Sequence, residues 1–259
     1  MPGSIVAAVS SSWPDMLVWL HTPLSGRMDH ALPSSLAWHG RLMTLAWAVL
    51  VPLGVLVARY LKVTREQDWP RTLDNPFWWH GHRAAQYTAV ALSTLGVWLA
   101  WQSAGVTDGN QPSWVWMHHR IGWGLFILAW LQILIALARG TKGGPTGAGA
   151  DPADPQTWRG DHYDMSRRRR VFEWLHKLGG HGALLLSVLV VLSGLIAADA
   201  PRWMPALIGF WWCLLAAIAV VWQWQNRAID TYQAIWGPDP RHPGAARRPI
   251  GFGIRRYPP

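Results

Sequence analysis

The sequence predicts an all-α integral membrane protein of five transmembrane helices, four forming a core bundle and a fifth packed at its side. Three observations carry this. Five long apolar runs have uncharged interiors. Only 14% of the 259 residues are charged, against roughly 25% in a typical soluble domain. The Lys and Arg residues fall almost entirely on one side of the runs.

The first run shows the pattern. His39–Tyr60 opens on a histidine, passes through apolar residues and closes on Arg59. At 1.5 Å per residue such a helix covers ~30 Å, the thickness of a hydrocarbon core. Counting uncharged interiors alone, the runs are Leu42–Ala58, Ala84–Val106, Ile121–Ala138, Leu178–Ala198 and Trp203–Gln225. A central Lys, Arg or Asp would cost about 2.5–3.5 kcal/mol on insertion scales, so five such absences are informative. Pro52 and Gly54 predict a kink in the first run, which lipid tolerates. Many of the 21 tryptophans sit near the run ends, where indole favours the boundary between water and lipid.

The chain divides into an N-terminal interfacial segment (1–37), a transmembrane domain (38–226) and a Pro/Arg-rich tail (227–259) expected to be irregular. Met16–His21 is apolar but lacks a basic lead and a long apolar core. It reads as a short amphipathic element on the membrane, not a cleaved signal. Nineteen Lys and Arg residues lie in the loops after the first and third runs and in the tail; four, Arg27, Arg41, Arg120 and Arg202, lie on the other side. The positive-inside rule then predicts a periplasmic N-terminus and a cytoplasmic C-terminus in a bacterial inner membrane. The net charge of +9 is thereby assigned to topology and not to nucleic acid. The loop Gly140–Arg170 reads as mobile and cytoplasmic, with Arg167–Arg170 at the lipid head groups. The single Cys213 excludes an internal disulfide and a cysteine-held cluster.

Seven of the 11 histidines stand at the entrances of the runs: His39; His80 and His82; His118 and His119; His176 and His181. Successive spans run in opposite directions. The first and third entrances therefore share one face of the membrane and the second and fourth the other. A polar ring at membrane depth is a functional candidate, although a single one is more often an interfacial side chain bonded to water. Histidines at four entrances fit the axial ligation of haem in a four-helix bundle. Gly122 follows His118 by four residues and Gly180 follows His176 by four, on the same helix face, where a missing Cβ admits a flat macrocycle. Gln86 occupies that place after His82. His119 and His181 lack such support and read as neighbours of the ligands.

These motifs resemble the cytochrome b561 family of di-haem membrane proteins, in the five-span form found with DOMON modules. The matching stretches are His39-Gly-Arg-Leu-Met43 with Pro52-x-Gly54 and Ala58-Arg59-Tyr60, His82-x-x-x-Gln86, His118-x-x-Ile-Gly122 and Trp174-x-His176-x-x-x-Gly180. The resemblance covers about residues 38–226, with no DOMON module. It implies two haem b groups, one held by His39 and His118 and the other by His82 and His176, and a homodimer. Electrons would pass from a cytoplasmic or quinol donor to an outer acceptor, such as ferric iron, an ascorbate radical or a soluble cytochrome. The alternative is a haem b subunit of a larger quinone-linked complex. Arg41 and Arg120 are candidates for the outer haem edge, because outer cations are scarce. Lys62, Arg83 and Lys177 are weaker candidates at the inner edge, where topology alone explains a positive charge. A histidine-lined metal carrier without haem needs acidic or cysteine co-ligands that the runs lack.

Overall fold

The computed structural model describes residues 13, 15–27, 32–103 and 113–258. Five long helices dominate it: α1 (Ser34–Tyr60), α2 (Phe77–Gln102), α3 (Ser113–Leu137), α4 (Arg167–Ala197) and α5 (Trp203–Trp224). Residues 231–236 add the short helix α6 (Thr231–Trp236). The fold is all helical. Four helices, α1, α3, α4 and α5, are long and apolar enough to cross a membrane. Helix α2 has 26 residues, as long as its neighbours, but Trp, His, Gln, Ser and Thr side chains dilute its apolar character. The count of five spans is therefore not reached on hydropathy alone.

Helices α1 to α4 share one core of Ala46, Trp47, Val51, Ala89, Val90, Leu125, Ala129, Ala183 and Val191. Small residues recur because helix axes approach closely only where side chains are short. Gly54 is one such case, since an added Cβ would strike Gln86 and Ala85 on α2. Helix α5 leans on this bundle with little of itself buried.

The expected kink at Pro52 takes a specific form. Residues Thr44–Leu50 are π-helical, one residue wider per turn than the flanking α-helix. Proline cannot donate to the carbonyl four residues back, and here that is Ala48. Its carbonyl accepts instead from the indole nitrogens of Trp211 at 2.9 Å and Trp212 at 3.3 Å. The proline thus creates the polar anchor that fastens α5 to α1.

Two segments expected to lack regular structure have little of it beyond α6 and short 3-10 turns, yet they are packed. The loop 138–166 and the tail 227–258 fold against each other as a cap at the α1 and α5 C-termini and the α4 N-terminus. Trp78, Tyr163, Met165, Tyr232, Ile235 and Trp236 form its core. The Tyr232 hydroxyl donates to the Tyr163 carbonyl at 2.8 Å and accepts from the Gly244 amide at 3.0 Å. The tail is then clasped by three helices. Arg59 donates to the Phe252 carbonyl at 2.7 Å, Lys177 to Ile250 at 2.8 Å and Gln223 to Gly253 at 2.8 Å. Composition hid this because the cap's apolar residues are single aromatics scattered among Pro, Gly and Arg.

The arginine run is also less uniform than a lipid-facing patch. Ser166 caps α4 by accepting from the Arg169 amide. Arg168 donates to the Ala138 carbonyl at 2.8 Å, and Arg169 turns inward to Glu173. At the opposite end, residues 15–21 are helical with Met16, Leu17, Val18 and Trp19 exposed. The chain after them is pinned to the α4–α5 turn, where Asp199 accepts from the Ser25 amide at 2.7 Å and hydroxyl at 2.5 Å.

Candidate functional site

Four histidines project into the bundle as two facing pairs. His39 of α1 meets His118 of α3, with ring centroids 6.1 Å apart and planes at 84°. His82 of α2 meets His176 of α4 at 6.2 Å and 84°. A metal–imidazole bond is about 2 Å long, so two rings that share one ion hold their centroids roughly 6 Å apart. Both pairs have the separation that the fit of a bis-histidine metal demands.

The outward ring nitrogens support that fit. His39 Nδ1 lies 2.9 Å from the Gly96 carbonyl, His82 Nδ1 3.0 Å from Gly54 and His118 Nδ1 3.0 Å from Val190. A carbonyl only accepts, so each Nδ1 carries the proton and each Nε2 presents its lone pair. Such carbonyls are available because a helix carbonyl has a second lone pair beyond its ladder bond. The Nδ1 of His176 is buried without a partner. Its ring stacks instead on Phe172, with centroids 5.3 Å apart and planes at 25°.

The other candidates divide. Gly180 has nothing within 4 Å of where its Cβ would be, and Gly122 only a Val190 methyl at 3.8 Å. Open space therefore lies beside both glycines. Gly194, which the sequence did not flag, matters more for contact: a Cβ there would come within 2.9 Å of the His118 ring. Arg41 and Arg120 are not drawn to the histidines. Each guanidinium rests on its own helix, over Trp38 at 4.9 Å and Trp116 at 5.0 Å. His119 sits beside His118, and His181 bonds back to the Lys177 carbonyl. Among the described residues no group of three or more His, Cys, Asp or Glu side chains could hold a bare metal ion.

Behind the His82–His176 pair lies a charged cluster that sequence reasoning missed. Glu173 is buried and accepts from Arg169 at 3.0 Å and Lys177 at 2.7 Å. The i, i+4 spacing of these charges on α4 was the available signal. His162 of the cap is buried with its Nε2 4.0 Å from Glu173. Burial, with Arg169 next in weight, pushes the His162 imidazole from 6.5 down to about 3. Lys62 is buried too, bonded among the described residues to the Arg59 and Ile229 carbonyls, and burial brings its ammonium down to about 7.

The His162 shift sets a pH dependence. The folded cap holds the ring neutral, whereas the unfolded chain protonates it at its ordinary value. Stability is therefore complete above pH 6.5 and declines as pH falls from 6.5 toward 3, by up to about 1.4 kcal/mol per pH unit for one proton. Thermal unfolding of the detergent-solubilised protein between pH 7.5 and 4.5 will show this slope, and His162→Phe will make it shallower by one proton's share.

Comparison with known proteins adds a second line. The chain is 28% identical over 171 residues to a cytochrome b561, DM13 and DOMON domain-containing protein of Arabidopsis thaliana, covering 66% of this chain and 16% of that protein. It is 26% identical over 185 residues to a cytochrome b561 and DOMON domain-containing protein of the same plant, covering 71% and 37%. Ferric-chelate reductase 1 of Bos taurus is 27% identical over 180 residues, covering 66% and 25%. The chain thus spans well under half the length of these relatives. No family model and no solved structure matches it. Over the two thirds of the chain they cover, these relatives support a cytochrome b561 family.

Proposed function

We propose that this chain holds two haem b groups, one between His39 and His118 and one between His82 and His176, and carries electrons between the two faces of the membrane. The observation that supports this best is the repetition of one ring geometry at two separate places in the bundle. Bound haem would supply a one-electron iron couple that needs no proton.

The protein's part is to hold and to exclude. His39 with His118, and His82 with His176, would hold the iron with two neutral imidazoles each and leave it no open position, which favours electron transfer over oxygen binding. The carbonyls of Gly96, Gly54 and Val190 fix the tautomer. Trp47, Val51, Leu125 and Val191 keep water out of the space between the pairs. Helix α2 supplies His82 and the Gly96 carbonyl and acts as a fifth span, paying for its polar residues by facing its neighbours.

The charge split supports an outside N-terminus and a cytoplasmic cap, so His39 and His118 serve the outer face. The outer acceptor is a ferric chelate or another small oxidant, taken at the open surface near His119. Donor electrons enter on the capped side.

Reduced-minus-oxidised spectra of the purified protein test the reading. The expected result is a low-spin b-type Soret and α band with two haems per chain by pyridine haemochrome. A preparation reconstituted with haem that shows no Soret band overturns it.

A further inference from the structure

The four histidines follow one spacing, and three of them complete it. The carbonyl that receives each Nδ1 lies on the neighbouring helix, at a fixed distance beyond that helix's own histidine. Gly96 is 14 residues past His82 on α2 (82 to 96), and Val190 is 14 past His176 on α4 (176 to 190). Gly54 is 15 past His39 on α1 (39 to 54), where the π-helical stretch adds one residue without turning the helix further. Fourteen residues are about four turns, so each acceptor stands on the same face as its helix's histidine.

The remaining place is on α3, 14 residues past His118 (118 to 132). It is occupied by Gln132. Both ends of the Gln132 amide are buried without a hydrogen-bond partner, and so is His176 Nδ1. The two orphans are neighbours. Gln132 lies against Gly179, where a Cβ would strike its amide nitrogen, and Gly179 is one turn along α4 from His176.

We propose that Gln132 is the positioning residue for His176, its side-chain oxygen accepting the Nδ1–H. A rotation of the amide satisfies both groups at once and gives the fourth histidine the Nε2 tautomer that the others already have. The proposal rests on the haem reading above. An acceptor on Nδ1 makes the imidazole a stronger donor to iron and favours the ferric state, so its loss raises the reduction potential at that site alone.

Gln132→Met, close to glutamine in volume and without a strong acceptor, and Gln132→Glu, which keeps an oxygen, make the test. Redox titration and EPR of the haem-loaded proteins are the readouts, with His176→Ala identifying which haem belongs to His82 and His176. With Met, two haems per chain remain, the potential of that haem rises, its low-spin g values move and the other haem is unchanged. With Glu, the potential stays or falls. Unchanged potentials and g values in Gln132→Met, equal movement of both haems, or the same response to Met and Glu overturns the proposal and leaves the haem reading intact. Absence of haem from the wild type overturns both.

Discussion

His39→Ala and His118→Ala each abolish the low-spin spectrum of one haem, and His82→Ala and His176→Ala each abolish that of the other. Half the low-spin signal is lost in every case, and the half that is lost is shared within a pair. The pairing follows from ring centroids 6.1 and 6.2 Å apart. Each pair spans helices that are not joined by a single loop, α1 with α3 and α2 with α4. Removing one imidazole leaves its partner aimed at an open position, so iron held there becomes high-spin or is lost. Optical difference spectra and EPR of the four variants decide it. Loss of both haems in every variant, or a different grouping, contradicts the assignment. The double variant His39→Ala/His118→Ala should match either single one, because both remove the same site.

Glu173→Ala is the substitution with the largest expected effect on stability, about 3–5 kcal/mol. The carboxylate is buried and takes two cations, Arg169 at 3.0 Å and Lys177 at 2.7 Å, with His162 at 4.0 Å. Its removal strands Arg169 in a dry setting without its hydrogen-bonded carboxylate, leaving only the weaker pull of Asp161. Lys177 keeps the Ile250 carbonyl. The damage falls on the cap, because Glu173 faces His162 of the loop 138–166 and its partner Lys177 holds the tail at Ile250. Thermal unfolding in detergent measures the loss, and limited proteolysis of residues 140–166 locates it. Glu173→Gln, which keeps shape and one acceptor, should lose less. Adding Arg169→Met to Glu173→Ala should recover part of the loss, since it removes the stranded charge; a double variant weaker than the single one contradicts this account.

The four ligand candidates were legible because a histidine at a span entrance violates the apolar pattern, and the alternation of helix direction assigns each to a face. Their acceptors were not legible. A backbone carbonyl has no letter in the sequence, and which one faces a neighbouring ring depends on helix register, itself shifted on α1 by the π-helical stretch. Arg41 and Arg120 were singled out by scarcity of charge on their side, and the sequence did not show that they stack on Trp38 and Trp116. Pro52 announced a distortion but not the tryptophans that answer it, because Trp211 and Trp212 look like any aromatic in an apolar run. The cap escaped notice for a different reason: its order comes from long-range pairs such as Tyr232 with Tyr163, which leave no local periodicity.

The clasp of Arg59, Lys177 and Gln223 on the backbone of residues 250–253 bears on how the protein is made. During synthesis the first four helices can leave the translocon and assemble while the strand that closes the His82–His176 end is still inside the ribosome. The His39–His118 end needs nothing later than α4. The two histidine pairs are therefore enclosed at different times. The second stays uncovered until residues after α5 have emerged and folded back over it.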